Sequence, residues 1–237
     1  MCDVISCEAE VFVYSLAGLQ VDGGQMPETE LPDNEITART GVYQLLARLT
    51  SVPDRDIYEG AVAGTWGKEL ADAGKLLGFA FDFGGASVDA SVSQEDFQAE
   101  FLRVFEIGNG SGPAASLYGG AYAGDRMQRL EEVVRFYEYF GLSTSAEDPR
   151  PADHLATELE FMKYLTFKEA VSSSPRLQTS YRRAQHDFLE RQLSTWVPKL
   201  VEKTSSAGTW PYWEWVTATA GGFVAADANY VAGALAI

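Results

Sequence analysis

Cysteine and histidine each occur only twice in the 237 residues of this chain, and both cysteines, Cys2 and Cys7, fall at its very start. Cysteines so placed cannot frame a fold with disulfides, and a four-ligand zinc site would have to draw on His154 and His186, far along the chain. The expectation is a reducing compartment, a fold without a covalent staple, and no metal or cofactor of its own. Long apolar runs are missing too. None approaches the roughly 20 residues needed to cross a bilayer, and in MCDVISCEAEVFVYSLAGL the acids Asp3, Glu8 and Glu10 stand where an export signal places positive residues. A cytoplasmic chain with no stable membrane insertion follows. Basic residues are the minority, 18 against 34 acidic for a formal net charge of −16, which argues against nucleic acid as a partner, since phosphates select a basic footprint. The same excess suits a cationic partner. It also serves simply to keep a soluble protein dispersed, and with arginine outnumbering lysine, adaptation to a salty cytosol is a further reading.

Strand signals are scarce as well, whereas apolar residues recur at helical spacing through most of the chain. That pattern predicts an all-α protein, one bundle or two closely packed halves, long enough to bury a sizeable core. A first helix is expected over about 34–50, with Asp33 or Asn34 as its cap, Ile36, Val42, Leu45, Leu46 and Leu49 turned inward, and Pro53 as its stop. A second is expected over about 55–77, and a third over about 94–105 with Phe97, Phe101, Leu102 and Phe105 in one stripe. The glycines and prolines from Gly108 to Asp125 mark a long loop. A helix over about 127–140 should end at Gly141 in a left-handed cap. Another, over about 176–203, should kink at Pro198, and the Trp210–Trp215 cluster opens a last apolar helix.

The signs of catalysis are absent. No Cys-His or Ser-His-Asp pattern surrounds a nucleophile. GNGSGP has no strand before it and no Lys-Ser or Lys-Thr pair after it, so it is not a phosphate cradle, and the paired Glu-x-x-His motifs of di-iron bundles are missing. Arg182 and Arg183 lie inside a helical pattern, where they read as a solvated pair rather than an export signal.

What is present is PADHLATELEFMKYLTFKEA, from Pro151 to Ala170. Pro151 and Asp153 suit a helix start, through the first-turn tolerance for proline and the helix dipole, and Leu155, Leu159, Met162 and Leu165 form one apolar stripe. His154, Glu158 and Phe161 fall on a neighbouring face. By spacing alone, His154 and Glu158 are either a local polar pair at i, i+4 on a core helix or part of a binding site.

PADHLATELEFM resembles the Pro-x-Asp-His-Leu and Glu-Leu-Glu-Phe-Met signature of the TorD-like family of redox-enzyme maturation chaperones. FLRVFEIG (Phe101 to Gly108), GPAASLYGGAY (Gly112 to Tyr122) and RFYEYFGL (Arg135 to Leu142) are similar to the family's upstream elements, in order, so the likeness runs from about Val42 to about Leu200. One departure is Ala114, where the family often carries an aromatic. The Ser-Leu-Tyr-Gly-Gly-x-Tyr form of the loop looks most like chaperones of dimethyl sulfoxide reductase-type enzymes, including ethylbenzene dehydrogenase, dimethylsulfide dehydrogenase and chlorate reductase.

The resemblance implies a single all-helical chaperone domain over 31–237 behind a variable segment 1–30. It also implies a possible hinge at 142–151, where Pro149 and Pro151 would allow a monomer or a domain-swapped dimer. It implies no enzyme, but a cytoplasmic protein that binds the apo catalytic subunit of a molybdopterin enzyme and its twin-arginine signal peptide. Such a protein would assist insertion of the molybdopterin guanine dinucleotide cofactor and prevent premature export. Phe101, Phe105, Pro113, Tyr118 and Pro151 would line the peptide site, Asp153 and Glu158 would meet the arginines through charge-assisted hydrogen bonds, and His154 would orient a carboxylate or the peptide backbone. The alternative is a guanine-nucleotide-binding or hydrolysing switch.

Overall fold

The structure is a computed structural model that describes residues 19–21, 31–108, 110, 112–144 and 150–236. Cys2, Cys7, Pro149 and most of the 1–30 segment lie outside the described residues.

The Asn34 side chain accepts hydrogen bonds from the Ile36 and Thr37 amides at 2.9 and 3.1 Å, satisfying two of the donors a helix start leaves open. Helix α1 then runs over Glu35–Leu49. The single helix expected over 55–77 is two, α2 (Arg55–Ala63) and α3 (Trp66–Ala73). Gly64 separates them at φ +68, a left-handed conformation that ends a helix and that glycine adopts without strain. Trp66 then folds back onto α2, its indole N–H donating to the Ile57 carbonyl at 3.0 Å. Helix α4 (Gln94–Phe101) carries on into a widened π turn over Leu102–Glu106.

Helix α5 spans Arg126–Tyr139, and Gly141 follows at φ +67, as its sequence led one to expect. Beyond it comes strand β2 (Leu142–Thr144), paired antiparallel with β1 (Leu19–Val21). No sequence signal announced this ribbon, because three-residue strands carry too few positions for a period-2 pattern to show. It joins part of the N-terminal segment to the body, with Leu19 in the core. A single 3-10 turn over Gly119–Ala121 precedes α5, and helices α6 (Leu155–Val171), α7 (Pro175–Phe188), α8 (Ser194–Ser206) and α9 (Pro211–Leu235) follow the ribbon. The helix expected over 176–203 is interrupted between α7 and α8 by a π turn over Leu189–Leu193, in which Leu189, Gln192 and Leu193 are all buried. Pro198 itself sits inside α8, exposed to solvent.

Helix α6 is the axis of the fold. All of its residues but Lys168, Ala170 and Val171 are buried, so the single stripe expected of it is a helix covered on every side, chiefly by α1 and α7. Its inward polar groups need partners, since an unpaired buried charge is costly. Glu169 receives the Gln185 amide at 2.7 Å and the Arg182 guanidinium at 2.8 Å. Gln185 in turn accepts from Arg39 at 2.6 Å, and Arg39 forks onto both oxygens of Asp227 at 2.6 and 2.9 Å, where the Tyr43 hydroxyl also donates. Burial alone would lower the Arg39 pKa. The facing Asp227 carboxylate more than offsets this and holds it above its ordinary value. This network pins α1, α6, α7 and α9 together. Among the described residues no helix is long and apolar enough to cross a membrane.

Candidate functional site

The start of α6 is built against the loop that precedes α5. Gly119 donates its amide to the Asp153 carbonyl and Leu155 donates to the Leu117 carbonyl, both at 2.8 Å, so Tyr118 and His154 face each other as an isolated antiparallel bridge. The Gly120 amide donates to Asp153 Oδ2 at 2.8 Å. Two glycines are required here by close approach. A Cβ on Gly119 would lie 2.3 Å from Arg129 Nε, and one on Gly120 would lie 2.8 Å from Asp153 Oδ2.

His154 caps α6. Its Nδ1 accepts the Ala156 amide at 3.1 Å, which leaves the proton on Nε2, directed at Glu106 Oε1 3.3 Å away. The Tyr118 hydroxyl donates to the other Glu106 oxygen at 2.5 Å, and the Tyr118 and His154 rings meet edge to face. Burial, then the Glu106 carboxylate, raise the Tyr118 pKa and keep the phenol protonated. Glu106, at the end of the π turn, therefore gathers the two most distinctive residues of the loop and the signature. Its side chain is 15% exposed, against 2% for His154.

One turn further along α6, Glu158 receives Arg129 of α5 at 2.6 Å and the Trp196 indole of α8 at 3.2 Å. Arg129 also donates to Gln192 at 3.0 Å, and its guanidinium lies over the Trp196 ring. Burial pushes the Glu158 carboxyl up to about 7, with Arg129 and Trp196 pulling against it. Because Arg129 is held at both ends, it cannot retreat from a side chain at position 119. Gly119→Ala is expected to destabilise the protein by about 1–3 kcal/mol through overpacking, read as a lower urea midpoint at unchanged slope.

Of the residues singled out by sequence, the structure brings Tyr118, Asp153 and His154 into direct contact. Pro113, Tyr118 and Pro151 are partly exposed. Phe101 and Phe105 lie in the core, packed on each other and on Trp213. Asp153 and Glu158, expected to meet arginines from outside, are 1% and 0% exposed. The Asp153 carboxylate, just ahead of α6, is turned to the Gly120 amide, and Glu158 to Arg129, because α6 has no solvent face where Glu158 sits. Glu106, Arg129, Gln192 and Trp196 were not anticipated. Only Glu106 left a trace in the sequence, as the acid that ends FLRVFE.

Residues 67–202 match the family described as nitrate reductase delta subunit. The chain is 36% identical to the selenate reductase assembly chaperone protein of Thauera selenatis over 75% of its own length and 83% of that protein's. It is 37% identical to the perchlorate reductase assembly chaperone protein of Dechloromonas aromatica, over 68% of this chain and 75% of the relative. Likeness to the chaperone protein TorD of Vibrio parahaemolyticus is 26%, over 61% of this chain and 68% of that one. No solved structure gives a significant match. With its all-helical fold and a family match across more than half its length, the chain belongs to the nitrate reductase delta subunit family, the TorD-like group to which its signature helix pointed.

Proposed function

We propose that this protein is a cytoplasmic assembly chaperone, not an enzyme, for the catalytic subunit of a molybdopterin enzyme. It binds the apo subunit and its twin-arginine signal peptide, keeps the subunit open for insertion of the molybdenum cofactor, and delays export until loading is complete. The likeness to assembly chaperones of oxyanion reductases along most of the chain carries this reading. Release follows from differential affinity: a chaperone that holds the apo form more tightly than the loaded form is displaced by loading itself.

The peptide site in this reading is the surface where the loop meets α6. Pro113, Tyr118 and Pro151 supply the apolar contacts there. Asp153, His154 and Glu158 act from beneath by fixing the loop and the helix start. Glu106 is the carboxylate within reach of a guanidinium, because a carboxylate has about four acceptor positions and Tyr118 and His154 occupy two of Glu106's.

Titration of the full chain with a synthetic twin-arginine signal peptide, and with the same peptide carrying Gln-Gln, tests both parts. The native protein should prefer the arginine peptide. Glu106→Gln should weaken that peptide's binding by about 10-fold, as expected for one charge-assisted hydrogen bond of 1–3 kcal/mol, and leave the Gln-Gln peptide unaffected. Equal losses for both peptides would reduce Glu106 to a support for Tyr118 and His154. Indifference of the native protein to the arginines would sink the reading of the whole site.

A further inference from the structure

Helices α5 and α7 both pack on the central helix but leave a groove of about 730 Å³ between them. Its apolar lining includes Phe136, Phe140 and Tyr181, all packed against the core. Tyr139 and Leu177, 83% and 52% exposed, lie along it and are among the large apolar side chains that this protein leaves in solvent. A concave apolar strip of this kind marks an interaction site more often than a bare surface.

The charge along the groove is opposite to that of the molecule. The chain carries 34 acidic and 18 basic residues, yet Arg135, Arg183 and Arg191 line the groove against Glu132 and Asp187 alone. The two acids have local partners. Glu132 accepts from Gln128 at 3.0 Å and from Gln192 at 3.5 Å, and Asp187 lies 3.6 Å from His186 Nδ1. On the basic side, Arg135 makes an exposed i, i+4 pair with Glu131 at 3.5 Å, worth little in water, and Arg191 lies over the Phe136 ring.

We propose that the α5–α7 groove docks an amphipathic helix of a partner protein, with its apolar face on Phe136, Phe140 and Tyr181 and carboxylates at its flanks facing the three arginines. Helix-in-groove recognition reads such a ligand as apolar anchors at i, i+3, i+4 and i+7. The 14 residues of α5 set a matching length of about 21 Å. Three arginines against two locally partnered acids favour an acidic over a cationic peptide here, and the groove shares no lining residue with the surface around Glu106 and Tyr118.

The probes are two labelled 15-residue helical peptides with the same leucine stripe, one with glutamate and one with lysine at the flanks, titrated into the full chain by fluorescence anisotropy. The glutamate peptide should bind at least 10-fold more tightly than the lysine peptide, and the preference should weaken as salt is raised. The charge-reversed variant Arg135→Glu/Arg183→Glu/Arg191→Glu should invert it. Leu177→Asp with Tyr139→Asp, both at exposed positions, should abolish binding while the melting temperature stays unchanged. Equal affinity for the two peptides, no binding of either, or binding insensitive to Leu177→Asp with Tyr139→Asp would overturn the proposal. So would sedimentation showing the groove filled by a second copy of this chain, as a dimer that those aspartates dissolve.

Discussion

Asp227→Asn should destabilise this protein by about 3–5 kcal/mol, because it removes the carboxylate that pairs most closely with a buried arginine. Arg39 and Asp227 are 1% and 0% exposed and share two hydrogen bonds. Glu169, the next nearest acid, stands 3.8 Å from Arg39 and is already bonded to Arg182 and Gln185. An asparagine keeps the shape of the site but leaves the guanidinium with only the more distant, shared Glu169 carboxylate and the Tyr43 hydroxyl with a weaker acceptor. In thermal melts the midpoint should fall on the order of 10 °C for a chain of this size. Combining Asp227→Leu with Arg39→Met should recover much of that loss, since removing both charges also removes the cost of desolvating them. A near-normal midpoint for the single variant would mean that the network contributes little to holding α1, α7 and α9 around α6.

The second large effect is one of pH. The Glu158 carboxyl is pushed up to about 7 by burial, from an ordinary value of 4.5. Between those two values the folded protein holds a proton on Glu158 that the unfolded chain has released. A group shifted upward in this way contributes stability that is complete below pH 4.5 and lost as pH rises toward 7. Across that window its contribution should fall by about 3 kcal/mol at most, against whatever trend the remaining groups impose. Denaturant melts of the native protein and Glu158→Gln at pH 4.5, 5.5, 6.5 and 7.5 isolate it. The native minus variant difference should shrink toward neutral pH and then level off. A difference that grows instead would mean that ionised Glu158 and Arg129 form a pair strong enough to outweigh their desolvation.

Both predictions concern polar residues that the sequence does not distinguish from solvated ones. Arg129, within MQRLEEV, has neighbours that read as an exposed helical face, and Glu158 sits at i, i+4 from His154, a spacing that suits a surface pair equally well. Their burial depends on which helix lies at the centre, and that is settled by what the other helices cover. Arg39 and Asp227 are 188 positions apart, and nothing in the local pattern of either names the other. The same holds for Glu106, 48 positions from His154, although its chemistry makes it the accessible carboxylate of the site. Asp153, expected to meet an arginine, instead has its carboxylate and carbonyl tied to the two glycines of the loop.

Local chemistry wrote the all-helical character of this chain into its residues: a cap at Asp33 or Asn34, the stop at Gly141, the Trp210–Trp215 cluster that opens α9, and the signature by which its family is recognised. These depend on hydrogen bonds and backbone preferences that reach no further than a few residues, so they can be read from order alone. The π turns, the ribbon that brings Leu19 into the core, and the partners of Arg39, Arg129, Glu158 and Asp227 came from assembly. Each is the outcome of competition among surfaces distant along the chain, where burial sets the cost of a polar group and only the packed neighbours decide whether that cost is met.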